Sequence, residues 1–319
     1  MKVIFMGTPA FAAASLDALL NAGHAIPAVV TQPDATSGSV RRTRHSEVRD
    51  LAGAAGLQVM QPAKMRDVQF LGAVRALSPE IIVVVAFGRL LPMELISLAP
   101  RGAINLHASL LPRHRGASPI PWAILMGDAQ TGVTTMQISM EMDAGDILLQ
   151  RSTPIGEEET SGELEQRLRV IGAKLLVETL EGLREGGIVP RQQDHPASTL
   201  APLMRKQDGC ISWSGMATEI ARRVRAFDPW PGAWTRGAGG SEEAIRIWKA
   251  AVSPRTHHRE REGLILSASS EDDAGLVVAC GGGSCLLVRE VQLAGRRRMA
   301  ALEALRGRQL KVGDLLGAR

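Results

Sequence analysis

The sequence predicts an α/β protein in which a helix-covered parallel sheet is followed by a smaller antiparallel β-barrel, and three observations carry that prediction. The first half alternates apolar strand-like runs with amphipathic helix-like segments, the pattern of βαβ units. The run Ile81–Ala86 is apolar throughout, rich in β-branched residues and without alternation, as in a strand covered on both faces. Beyond about residue 207 the texture changes to short β-like pieces separated by Gly-rich or polar turns. A chain of 319 residues exceeds the size at which one hydrophobic core usually stops growing. Two domains are therefore expected, 1–188 and 207–319, joined by a Gly-, Pro- and Ser-containing linker at 189–206.

Taken in order, Val3–Met6 reads as the first strand, Gly7-Thr8-Pro9 turns the chain, and Ala10–Asn21 has helical spacing with a stop at Gly23. Ala28–Thr31 and the short Val59–Met60 are strands, and Glu47–Ala55 and Met65–Leu77 are helices. Ile81–Ala86 belongs at the centre of the sheet. Ala103–His107 is a strand in which two polar residues interrupt an otherwise buried pattern. Val133–Ser139 and Ile147–Arg151 flank a turn, and Leu164, Leu168, Ile171, Leu175, Leu176, Leu180 and Leu183 mark a long amphipathic helix from Thr160 to Glu185. In the second part a helix at Met216–Ala226 precedes strands at Ile245–Ala251, Leu264–Ser267, Leu276–Ala279 and Ser284–Gln292. Gly281-Gly282-Gly283 reads as a turn rather than a phosphate loop.

Composition narrows the function classes. With 45% hydrophobic and 22% charged residues and a mean hydropathy of +0.02, the chain falls among globular enzymes rather than disordered or fibrous proteins. No run of about 18 apolar residues is present, and the opening segment is broken by Gly7, Thr8, Pro9 and Asp17, so a cytoplasmic protein without a membrane segment is expected. Cys210, Cys280 and Cys285 are odd in number and lack C-x-x-C spacing, which favours core residues over a disulfide framework or a metal site. Trp213, Trp230 and Trp234 are likewise expected in the core. Charge is uneven: 18 Lys/Arg against 20 Asp/Glu up to residue 204, then 19 against 13, so the excess positive charge lies in the C-terminal part and points to an acidic partner such as nucleic acid.

The densest polar cluster is the segment 103–113. In an extended chain alternate residues share a face, so Asn105 and His107 present a donor amide beside a group that titrates near neutrality. A tetrahedral acyl-transfer intermediate calls for such a pair, one group to hold the oxyanion and one to manage a proton. By themselves the two residues are equally compatible with a satisfied core histidine and a turn asparagine. Met140–Asp146 adds two carboxylates around an Ala-Gly turn, which makes Asp143 a candidate partner for the His107 imidazole.

These residues carry a family resemblance. INLHASLLPRHRGASPI at 104–120 and MDAGDIL at 142–148 closely resemble the signature of the folate-dependent formyltransferases, the methionyl-tRNA formyltransferases and their relatives. The likeness continues in VIFMGTPAFA at the start, TQPD at 31–34, VVVAFGRLLP at 83–92, RAFDPWPGAW at 225–234 and GRRRM with LRGRQLKVGDLLG at 295–317. It implies a Rossmann-like formyltransferase domain followed by a small OB-like β-barrel that binds tRNA.

The resemblance further implies a catalytic set of Asn105, His107 and Asp143, and transfer of the formyl group of 10-formyltetrahydrofolate to the amine of methionyl-initiator-tRNA. Folate contacts are implied at Ser109, Leu110, Leu111 and Pro112 and at Phe87, Gly88, Arg89, Leu90 and Leu91, with no metal. Where relatives carry a Gly/Arg-rich loop after TQPD, this chain has a different segment at 35–46. Arg41, Arg42 and Arg44 keep its positive charge, and Arg205, Lys206, Arg296, Arg297 and Arg298 are further candidates for tRNA phosphates. A monomer is expected. A sugar formyltransferase, a formyltetrahydrofolate hydrolase and a non-catalytic RNA-binding protein are the competing readings.

Overall fold

A computed structural model describes residues 1–37, 42–237, 243–254, 259–269 and 274–317, with the backbone alone at 35–37 and 42–44. In chain order the first elements are β1 (Lys2–Gly7), α1 (Ala10–Asn21), β2 (Ala25–Val30), β3 (Ala35–Ser37), β4 (Arg42–Arg44), α2 (Glu47–Ala54), β5 (Gln58–Met60), α3 (Val68–Ala76), β6 (Ile81–Val85) and α4 (Met93–Ile96). They are followed by β7 (Ala103–His107), α5 (Pro119–Met126), β8 (Gln130–Gln137), β9 (Ile147–Pro154) and α6 (Ser161–Glu185). The last are α7 (Ala217–Ala226), β10 (Ala233–Arg236), β11 (Ala244–Val252), β12 (Ile265–Ser269), β13 (Gly275–Ala279), β14 (Cys285–Gln292), β15 (Met299–Ala300) and α8 (Ala301–Arg306). The chain forms two compact units: one of residues 1–119, 130–154 and 165–202, the other of 120–129, 155–164 and 203–319.

The first unit is built on a seven-stranded sheet in the order β5-β2-β1-β6-β7-β8-β9. The strands from β5 to β7 are parallel, and β8 and β9 are added antiparallel at the edge. The β6 segment, Ile81 to Val85, is buried at every position because strands flank it and both sheet faces are covered, as its unalternating sequence predicts. The chain runs outward from β1 to β2 and β5, then crosses to β6 and β7 on the other side. This creates a switch point between β1 and β6, where the crevice outside the carboxyl ends receives ligands in such sheets.

Register fixes what lies at that end. Gly7 pairs with Val85, and Val85 pairs with Leu106, so Gly7, Val85 and His107 end neighbouring strands at nearly the same level. Gly7 lies so close to the first helix that a Cβ would come within 2.6 Å of the Ala12 Cβ. Ser46 caps α2 by accepting from the Arg49 amide at 3.2 Å, and Asp67 caps α3 by accepting from Phe70 at 2.9 Å. That aspartate explains why α3 starts at Val68 rather than at Met65 as expected.

The second unit carries an antiparallel sheet in the order β10-β11-β14-β13-β12, with β15 paired to β14. Ile220 and Val224 of α7 and Ala301 and Ala304 of α8 close its core against Ile247 and Val288. Strands β10 and β15, the β3–β4 pair and helices α4, α5 and α8 are additions to the sequence expectation. Their two to eight residues are too short for periodicity to identify. Cys280 and Cys285 are buried, and burial pushes the Cys280 thiol up to about 12, but Cys210 is exposed. Trp213 is in the core as expected, whereas Trp230 is 52% exposed.

The segment 189–206, expected as a linker, is built differently. Residues up to 202 group with the first unit: Arg191 exchanges two backbone hydrogen bonds with Ile147 at 2.8 Å, and Thr199 and Ala201 pair with Pro112 and Arg115. Its Gly-, Pro- and Ser-containing composition fits an extended strand pairing outside a regular sheet as well as it fits a free tether. Among the described residues no helix is long and apolar enough to cross a membrane.

Candidate active site

The site starts from β7. Asn105 and His107 share one face of the strand, Asn105 half-buried and His107 buried. The His107 Nε2 lies 2.9 Å from the His114 carbonyl oxygen. A carbonyl only accepts, so Nε2 carries the proton of that bond and Nδ1 is the nitrogen turned to Asp143, whose Oδ2 is 3.6 Å away. Among the described residues the Asn105 side chain has no hydrogen-bond partner, which leaves its donors available to a ligand.

After His107 the chain makes a tight excursion. Ser109 Oγ donates to the Arg113 carbonyl at 2.6 Å, Thr134 Oγ1 of β8 donates to the Ser109 carbonyl at 2.7 Å, and Gln150 of β9 donates to the Leu111 carbonyl at 2.8 Å. Leu111 is buried against Met136 and Ile147. The Ser109 hydroxyl and the Leu111 side chain, both expected to meet folate, are thus engaged within the protein, while Leu110 and Pro112 stay partly exposed. Residues 114–116 each hold His107 or Asp143: His114 through its carbonyl on His107, Gly116 through its amide on Asp143 Oδ2 at 2.9 Å, and Arg115 through its guanidinium on Glu141 of the Asp143 turn.

Asp143 comes from the other end of the strand pair. Ile104 is opposite Gln137, so the 138–146 segment leaves β8 at the start of β7 and runs back along it to reach His107. Asp143 adopts φ +53, a left-handed conformation that aspartate tolerates better than most residues. Gly145 is required outright, because a Cβ there would sit 1.8 Å from the Gln137 carbonyl oxygen. Two residues that the sequence reading missed fasten this turn: Gln193, which donates to the Asp143 and Gly145 carbonyls, and the buried Arg115, which pairs with Glu141 at 3.4 Å. A lone Gln in an apparent linker carries no spacing signal; an Arg three residues after the signature's proline carries a weak one.

The loop after β6 sits beside this end of β7. Phe87 is buried in the sheet core, its carbonyl accepts from Gln32 Nε2 at 2.7 Å, and Arg89 donates to the Pro62 and Ala63 carbonyls at 2.8 and 3.0 Å. Gly88 has φ +74, Leu90 is exposed and Leu91 is partly exposed. The TQPD segment serves this loop structurally: besides the Gln32 bond, Asp34 pairs with Arg49 and accepts from Gln61 at 3.0 Å.

The basic candidates divide. Arg41 lies outside the described residues, and Arg42 and Arg44 form β4. Arg205, Lys206 and Arg296 are exposed. Arg297 pairs with Glu303 at 3.2 Å. Arg298 pairs with Asp228 at 2.9 Å and stacks over Trp248, 3.6 Å from the ring centroid, so much of its charge is already used inside the second unit. Among the described residues no group of three His, Cys, Asp or Glu side chains could hold a metal ion.

A donor amide beside an imidazole and a carboxylate, at the mouth of an α/β sheet, is a set of groups suited to acyl transfer. Comparison with known proteins gives that class a family. The formyl transferase family model matches residues 1–180, and its C-terminal-domain model matches 203–309. The chain is 45% identical over 313 residues to the methionyl-tRNA formyltransferase of Anaeromyxobacter dehalogenans, covering 98% of each, and 43% identical over 319 residues to that of Citrifermentans bemidjiense, covering 100% and 97%. The chain belongs to the methionyl-tRNA formyltransferase family within the formyl transferases. Solved structures share the fold at lower identity. An N-formyltransferase from Helicobacter canadensis in complex with folinic acid and dTDP-3-aminofucose superposes with a TM-score of 0.64 at 17% identity, over 90% of this chain and 98% of that one. HypX from Aquifex aeolicus in complex with tetrahydrofolic acid gives 0.63 at 17%, over 96% and 47%.

Proposed function

We propose that the protein transfers the formyl group of 10-formyltetrahydrofolate to the α-amino group of methionyl-initiator-tRNA, acting as a cytoplasmic monomer. The carrying observation is the catalytic geometry: Asn105 with an unengaged amide two residues from a His107 imidazole that faces Asp143. Full-length identity to relatives of that name supports the substrate.

In this scheme the methionyl amine attacks the formyl carbon, the new C–N bond forms, and the formyl oxygen takes the developing negative charge. Asn105 donates to that oxygen without rearrangement. His107 joins it by exchanging its Nε2 contact from the His114 carbonyl to the oxyanion, and Asp143 fixes the imidazole orientation. The proton leaving the attacking amine passes through the His107–Asp143 pair, directly or by one water, and the bond from carbon to folate N10 breaks as that nitrogen is protonated. The 86–91 loop and the 109–112 turn flank the folate, largely through backbone groups and the exposed Leu90. The region from 207 onward acts as the OB-like tRNA-binding domain; Arg296, Arg297 and Arg298 within it and Arg205 and Lys206 just before it meet phosphates, and Arg41, Arg42 and Arg44 serve the acceptor end.

The test is a transfer assay with 10-formyltetrahydrofolate against methionyl-tRNA and a nucleotide-linked amino-sugar, run beside His107→Ala. Formylation of the tRNA that drops by about 100-fold or more in the variant supports the proposal. Transfer to the sugar alone overturns the substrate, and an undiminished variant overturns the site.

A further inference from the structure

Outside the residues that would meet substrate, the buried Gln193 side chain of the first unit is fully hydrogen-bonded. Its Nε2 donates to the Asp143 carbonyl at 2.9 Å and to the Gly145 carbonyl at 2.7 Å, and its Oε1 accepts from Arg115 Nη2 at 2.8 Å and Nε at 3.2 Å. Every donor and acceptor of the amide is used. Its orientation is therefore fixed: turned over, it would set two N–H groups against a guanidinium and an oxygen against two carbonyls. We propose that Gln193 is a positioning residue for Asp143 and, through Asp143, for His107. The inference rests on the active-site reading above.

The physical case is that the turn does not hold itself. Asp143 sits at positive φ, which costs on the order of 1 kcal/mol or more for a residue other than glycine. The carbonyls on either side of Ala144 point into a region where Ala144 and Gly145 are buried, so left unpaired they would carry a desolvation penalty. Gln193 satisfies both with one planar group, and Arg115 locks that group while pairing with Glu141 earlier in the turn. The neighbouring Gly116 amide then holds the Asp143 carboxylate itself. Gln193 is anchored in turn by backbone pairs on both sides, Arg191 with Ile147 and Ala201 with Arg115. The 3.6 Å separation of His107 and Asp143 is at the margin of a useful contact, so a shift of a few tenths of an ångström in the turn changes what the imidazole experiences.

Two substitutions in the full-length chain test this. Gln193→Met keeps the bulk and removes the hydrogen bonds; Gln193→Glu keeps acceptors for Arg115 and sets a carboxylate against the two carbonyls. Each should lower kcat for formyl transfer by roughly 10- to 100-fold, with KM for methionyl-tRNA and for the folate donor within about twofold. The 15N resonances of the His107 ring should shift in both variants. The decisive measurement is a cycle with Asp143→Asn: if Gln193 acts through Asp143, Gln193→Met added to that background lowers kcat by less than about twofold further.

Multiplicative losses in the double variant, a loss carried by KM, or unchanged His107 resonances would overturn the positioning role. If Gln193→Met folds poorly, the cycle is run with Gln193→Glu. The two readings fail separately. Full activity in Asp143→Asn removes the active-site assignment, whereas collapse of Asp143→Asn beside a full-rate Gln193→Met removes only the role of Gln193.

Discussion

The two units bury different chemistry. In the second, the core closed by α7 and α8 on the antiparallel sheet is apolar, and among the described residues the unit's buried polar side chains are Ser161, Thr235 and Ser253. In the first, His107, Ser109, Arg115, Thr134 and Gln193 are all buried on or around β7 and β8. Burying polar groups is unfavourable unless each is paired, so a concentration of paired ones marks a place where geometry rather than bulk stability is being maintained. The second unit owes its stability to area removed from water; the first adds a hydrogen-bonded frame that fixes one carboxylate and one imidazole.

That contrast can be broken or sharpened by experiment. The largest effect is expected at Asn105→Ala, which should reduce kcat by about 100- to 1,000-fold, the range for loss of one oxyanion donor, with the unfolding midpoint nearly unchanged because the amide has no partner among the described residues. A midpoint that falls along with activity would make Asn105 part of the frame instead.

A smaller change should come from trimming the other core. Ile247→Val removes one methylene from a side chain that is almost fully buried, and should lower unfolding free energy by about 0.5–1.5 kcal/mol in denaturant titration, leaving turnover per folded molecule unchanged. Loss of turnover at full folding would mean that the apolar core also shapes the site.

The smallest effect concerns His24, buried in the first unit away from the polar frame. Burial first, then the N-terminal ammonium and Arg184, hold its pKa below the ordinary value, against an opposing pull from Glu181. Above about pH 6.5 the ring is neutral in folded and unfolded chains alike; as pH falls through that value the unfolded chain binds the proton first, and stability is lost. His24→Leu should flatten the fall in stability between about pH 6.5 and pH 5.5. An unchanged slope would assign the acid sensitivity to other groups.

Much of the architecture was legible from local pattern. Ala10–Asn21 is a helix with the expected bounds, Ile81–Val85 is the buried central strand, and the heptad-like leucines run through α6. These elements are long or strongly periodic, and their burial follows from their own residues. Short elements such as β10 and α8 left no such trace, and neither did the pairing of Arg298 with Asp228, a residue 70 positions away.

For the site, the sequence by itself determined the chemistry: which amide, imidazole and carboxylate are available, since strand alternation places Asn105 and His107 on one face and the turn residues around Gly145 are chemically distinctive. Only the tertiary structure decided how they meet. Asp143 reaches His107 because the 138–146 turn doubles back along β7, and it stays there because Gln193, 50 residues further on, satisfies its carbonyl. Local sequence encodes conformation over a few residues through sterics and periodicity. A hydrogen bond between distant segments depends on where the whole chain has packed, and no spacing in the sequence records it.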